Sequence, residues 1–215
     1  SLGTTYGDTL SFEVDEKPCT GLTSLTFDDY DYDLVEIGDQ CWFAENLQTT
    51  IYADGSEIPE VTDGTDWDAL TSGARCDYDN DLANVELYGR LYNFYAVDDS
   101  RGLCPAGWHV PTKGEFEILD DFFVYPLWPG TALKSSDADT PPWNGTNSSG
   151  WSGVPGGERI TYTEVGGFRS LGVIANYWSS TREGDNMRFM VLHSLTPDYY
   201  TAFPEHKRGL SVRCL

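Results

Sequence analysis

The segment LCPAGWHVPTKGE, residues 103–115, and the closing GLSVRC, residues 209–214, together restrict the folds open to this chain. Cys104 stands just ahead of a strand-like run and a helix start, and Cys214 stands at the end of the chain's last apolar stretch. A disulfide between them would tie the entry of a central helix to a final strand, closing the fold around segments far apart in sequence. Such a closure suits a binding scaffold. The five cysteines, at 19, 41, 76, 104 and 214, show neither CxxC nor Cys/His spacing of the zinc type, which favours disulfides over a metal knuckle. Cys104 with Cys214 is the first pairing expected and Cys41 with Cys76 the second, leaving Cys19 odd. Spacing alone does not determine connectivity. Two bridges would imply an oxidising compartment, hence a periplasmic or extracellular one, and a secreted or cell-surface location is expected.

With 35 acidic against 13 basic side chains the formal charge is -22, which repels a phosphate backbone and argues against nucleic acid as a partner. The acidity has two readings, a solvated surface or oxygen ligands gathered for Ca²⁺. Asp77, Asp79 and Asp81 with Asn80 and Asn84 form the best oxygen cluster. They begin a calcium loop without completing it, since Leu82 stands where such a loop needs Gly and Tyr88 where it needs Glu. Asp28, Asp29, Asp31 and Asp33 are a second candidate. No run approaches the roughly 18 apolar residues of a membrane span, so direct membrane insertion is not expected. Ser1 opens the chain without an initiator Met, which suits a mature or trimmed segment of a larger multidomain chain.

Gly 22, Pro 11 and the Trp and Tyr content predict short strands joined by many turns. Leu10, Phe12 and Val14 suit an edge strand or linker. From Thr26, TFDDYDYDLVEIGDQCW reads as a hairpin with an acidic turn, a strand through Leu34, Val35 and Ile37, and a Gly-Asp turn at 38–39. ELYGRLYNFYAV fits either a helix through Leu87, Leu91 and Phe94 or a buried strand. Thr112 to Glu115 has the T-x-x-E form of a capping box, and Phe116, Leu119 and Phe123 recur at helical spacing, predicting a helix from Pro111 or Thr112 to about Phe123. Residues 125–182 are rich in Gly, Ser, Asn and Trp and read as a long functional loop region hiding short strands. Asn186–His193 and Gly209–Leu215 are the expected closing strands.

Six ordered motifs, VEIGDQCWFAENL, YGRLYNFYAVDD, GLCPAGWHVPTKGEF, WSGVPGGER, YWSST and GLSVRC, resemble the Fibrobacter succinogenes major paralogous domain over about residues 26–215. Residues 1–25 then read as an N-terminal strand or linker. The family looks similar to the C-type-lectin-like folds that include formylglycine-generating enzymes and the variable proteins of diversity-generating retroelements. The resemblance implies an α+β domain with twisted antiparallel sheets, one or two helices and a long irregular loop region. Domains of this kind belong to secreted or surface-attached bacterial proteins.

The enzymatic relatives imply a close pair of cysteines near the C-terminus or a histidine cluster. Here Cys214 stands alone, and His109, His193 and His206 are scattered, so the expectation is a protein that is not an enzyme. For binding, Trp143, Asn144, Asn147, Asn176, Tyr177, Arg182, Tyr199 and Tyr200 supply aromatic faces and amides suited to sugars or peptides, while Trp151 and Trp178 are expected in the core. The function expected is recognition or adhesion, holding a cell-surface carbohydrate or protein on the 125–205 loop surface, with Ca²⁺ bracing the loops. A structural spacer domain is the alternative.

Overall fold

The structure, a computed structural model, describes residues 19–123, 128–160, 167–184, 186–202 and 207–215. The alternation at Leu10, Phe12 and Val14 lies outside the described residues, as do Phe203 and His206.

The fold is α+β and its paired strands are antiparallel. A meander opens it: β1 (Ser24–Phe27), β2 (Tyr30–Ile37) and β3 (Gln40–Phe43). The first turn is Asp28–Asp29, both at positive φ (51° and 59°), the twist a two-residue type I′ hairpin requires and one that Asp tolerates. Along β3 the side chains alternate, so Trp42 points into the core while Cys41 is half-exposed on the other face. Cys41 therefore meets Cys19. The expected Cys41–Cys76 pairing is wrong, because Cys76 is a buried free thiol packed in a separate core cluster with Trp67, Ala74, Tyr78 and Leu91. The Cys19–Cys41 bond and the start of β1 at Ser24 bring residues 19–25 into the same folded unit as the rest.

The middle of the chain is a run of short elements: α1 (Gly64–Ala69), β4 (Arg75–Cys76), α2 (Val85–Tyr88), β5 (Leu91–Tyr92) and α3 (Phe94–Val97). ELYGRLYNFYAV is thus neither one helix nor one strand. Gly89 breaks it at φ 70°, and a Cβ there would lie 2.6 Å from the Asn46 Cβ and 2.9 Å from the Leu47 carbonyl oxygen. Asn93 then restarts a helix, its Oδ1 accepting from the Ala96 amide at 2.9 Å. The helix expected after Pro111 is α4 (Lys113–Phe122), with Thr112 as its N-cap and the reciprocal capping box to Glu115 in place. Phe116 and Leu119 are its buried face.

Within the loop-like stretch lie α5 (Pro129–Leu133), β6 (Glu158–Arg159) and β7 (Phe168–Arg169). A ten-residue strand follows, β8 (Ile174–Glu183), pairing with β9 (Asn186–His193), which pairs in turn with β10 (Tyr199–Ala202). This sheet divides two hydrophobic clusters. Trp178, Met187, Phe189 and Val191 face one, with Tyr32, Phe43 and Tyr92; Ala175, Tyr177, Met190 and Leu192 face the other, with Trp42, Phe116 and Trp151. The alternation along β8 and β9 follows from the two-residue period of a strand covered on both sides.

Residues 209–215 run between these layers and end against the helix entry, where Cys104 bonds Cys214 as expected. The two bridges differ in the loop they close, 110 residues for Cys104–Cys214 and 22 for Cys19–Cys41. On chain-entropy grounds these are worth roughly 4.8 and roughly 3.4 kcal/mol. Denaturant unfolding of single variants tests the order: Cys104→Ser is expected to cost most, Cys41→Ser less, and Cys76→Ala about 1 kcal/mol. A Cys76 variant costing as much as Cys41→Ser would contradict the pairing.

Candidate functional site

Motif segments distant in sequence converge on one polar cleft of about 250 Å³. β3 runs out into Ala44–Glu45–Asn46, α2 contributes Tyr88, the loop after α5 contributes Asp139 and Ser152, and the final segment contributes Arg213. Arg213 is fully buried. Its guanidinium donates to the Trp151 carbonyl, to Asn46 Oδ1 at 2.6 Å and to the Ser152 carbonyl at 3.4 Å. It stacks 3.8 Å from the centre of the Trp151 ring. Among the described residues no carboxylate lies within ion-pair distance of it. Asn46 in turn donates to the Tyr88 carbonyl at 2.9 Å, so one amide fixes the wall formed by α2.

Glu45 stands beside this cation. Its Oε2 accepts from the Asp33 amide at 2.9 Å. Burial pushes its carboxyl above the usual range, against the pull of Arg213 and with a further push from Asp33. Glu45, Glu86 and Asp139 against Arg213 leave the lining with a formal charge of -2. Tyr30 and Tyr88 add ring faces. A polar ligand rich in hydrogen-bond donors is what such a lining can hold.

The eight residues expected to bind are dispersed. Trp143, Asn176 and Tyr177 are buried, at 5%, 2% and 0% exposure, so they cannot form an open contact surface. Trp143 covers the buried Lys134 ammonium, 5.4 Å from the ring centre, and Tyr177 packs edge-on against Trp151. Asn144 donates to the Ser194 carbonyl, and Asn147 holds the Ser152 amide and hydroxyl at 2.9 Å each. Arg182 forks onto Asp98, and the Tyr199 hydroxyl donates to the Phe116 carbonyl at 3.1 Å. Of the eight, Asn176 and Tyr200 share a cleft of about 210 Å³ between β6, β7 and the β8–β10 sheet, lined also by Glu158, Arg169 and Arg208.

The expected calcium ligands each have a place in the local backbone and side-chain contacts. Asp77 is buried and paired with Arg90, Asp81 Oδ1 caps the Ala83 amide at 3.0 Å, and Asn84 donates to the Tyr78 carbonyl at 2.9 Å. Asp79 lies at φ 54° in the same turn. Among the described residues no group of three or more His, Cys, Asp or Glu is placed to hold a metal. Asp28, from the second candidate, clamps a loop instead, accepting from the Thr50 amide at 2.6 Å and from the Thr49 and Thr50 hydroxyls. Its burial would raise its pKa, but these hydrogen bonds outweigh that and lower it.

Glu45, Asn46, Tyr88 and Arg213 were not among the expected site residues. A signal existed, since an arginine between Val212 and Cys214 in an otherwise apolar closing strand needs a reason to be there. Glu158 in VPGGER carried no such signal, because its partners Arg169 and Arg208 lie far off in sequence.

The family model for the Fibrobacter succinogenes major domain matches residues 35–215. No curated protein and no solved structure matches the chain. The match takes in the cleft and all of its lining but Tyr30, and on it the chain belongs to the Fibrobacter succinogenes major domain family.

Proposed function

We propose that this chain is a non-catalytic recognition module of a bacterial protein exposed outside the cell, with a C-type-lectin-like architecture, and that it holds a carbohydrate or protein ligand in the cleft built by Glu45, Asn46, Tyr88 and Arg213. The observation that carries the reading is the convergence of separate motif segments on a polar cleft with a perturbed carboxyl group in it, concavity and shifted titration being features that functional sites share. Two disulfides suit an oxidising compartment. Thiol chemistry of the formylglycine-generating kind has no support, since Cys214 is bonded to Cys104 and the Cys76 thiol is buried and pushed up to about 12. His109 is paired with Glu115 at 2.8 Å, and His193 Nδ1 accepts from the Leu195 amide at 2.9 Å, each a local structural contact.

Binding to a panel of surface glycans and proteins tests this reading. A ligand whose affinity falls about tenfold in Tyr88→Ala, with the melting temperature nearly unchanged, is expected. A panel without a binder, or a binder indifferent to substitutions in the cleft, would favour a spacer domain.

A second measurement concerns Glu45 itself. A carboxyl group whose folded pKa is raised destabilises the fold above its unfolded pKa and is neutral below it, so Glu45→Gln should melt higher than the parent at pH 7. The gap should open as pH rises past the ordinary value of 4.5 and vanish below it. A variant that melts lower at pH 7 would mean that the ion attraction to Arg213 outweighs burial.

A further inference from the structure

We infer that the cleft between β6, β7 and the β8–β10 sheet is a second binding site, which takes the carboxylate of an acidic sugar. Its foundation is Glu158, 1% exposed and opposite Arg169 in the β6–β7 register. A buried carboxylate must be paired. Arg169 Nε donates to Oε1 at 2.7 Å, Arg208 Nη1 to Oε2 at 2.7 Å, and Asn176 Nδ2 to Oε2 at 3.1 Å. One negative charge is therefore shared by two guanidinium groups, leaving the cleft at +1 in a chain of -22.

Each arginine places a single N–H on Glu158, and its remaining N–H groups have no acceptor among the described residues. Both side chains reach solvent, Arg169 at 48% and Arg208 at 26% exposure. Planar guanidinium groups with spare donors are built to grip a carboxylate through two oxygens, and Glu158 holds both in place before a ligand arrives. Tyr200 lies 48% exposed on the same cleft, among Ile174, Phe189 and Val191. Its ring face suits the flat apolar side of a sugar. At about 210 Å³ the cleft is smaller than the roughly 300–1,000 Å³ of drug-sized sites, so it takes one ring. The acidity of the whole chain repels polyanions, whereas a single carboxylate in contact with arginine is drawn over a shorter range than the Debye length of about 8 Å. None of these residues lines the Glu45 cleft, so this site stands apart from the proposed function.

NMR titration of the oxidised full chain with sodium glucuronate, glucose and glutamate tests the inference. Glucuronate is expected to give saturable shifts at Tyr200 and the Arg169 Nε–H, and glucose none at equal concentration. Arg169→Gln should weaken glucuronate binding about tenfold. Tyr200→Ala, which leaves the Glu158 ion pairs untouched, should weaken it several-fold and keeps the test readable if arginine variants unfold. Absence of glucuronate shifts, an affinity in both variants unchanged from that of the parent chain, or glutamate binding as tightly as glucuronate would each overturn the assignment.

Discussion

The backbone of residues 209–215 exchanges hydrogen bonds with Arg159, Tyr92, Asn176, Trp178, Leu47, Phe43 and His109 in turn. Gly209 pairs with Arg159 of β6, Leu210 with Tyr92 of β5, and Ser211 bridges Asn176 and Trp178 of β8. Val212 and Cys214 then accept from Leu47 and Phe43, and Leu215 pairs with His109. This short segment joins the meander, the middle elements and the β8–β10 sheet at once. At about 0.5–1.5 kcal/mol net for each hydrogen bond, the segment contributes several kcal/mol. The Cys104–Cys214 bond fixes its far end to the entry of α4.

The same segment makes the site. Val212 and Cys214 turn into the Tyr32–Phe43–Tyr92 cluster, while Arg213, between them, turns the other way onto Trp151 and Tyr177. A guanidinium can be buried there because carbonyls and ring faces replace its water, an arrangement a compact ammonium would not reproduce. Burial still lowers its pKa, with Tyr177 and Glu45 pulling the other way. The cleft lining and the fold's main seam therefore share Arg213, and the cleft at Glu45 lies beside the element that holds the layers together.

Much of this was legible in residues whose signals are local. The capping box at Thr112 and Glu115, the turn at 38–39 and β9 all follow from short-range chemistry, and an acidic turn after Phe27 does too, although β2 already starts at Tyr30. β8 was not legible, because Asn176, Ser179 and Ser180 in it read as loop composition. Gly89 was visible as a glycine, but the reason it breaks the helix is the approach of Asn46 and Leu47, forty residues away. Cys19 paired with Cys41 because β3 turns Cys41 to the face opposite Trp42. Trp143 and Tyr177 looked like surface anchors and became core, since in a chain this rich in glycine and aromatics the large rings fill the interior. Arg213 and Glu158 depend on partners brought together only by the fold.

The keystone role of residues 209–215 is tested most directly by native-state hydrogen exchange. The amides of Leu210, Ser211, Leu47 and Phe43 should open only with global unfolding. If they exchange through a smaller opening than the Phe116 amide in α4, the segment is a late addition to a fold that stands without it.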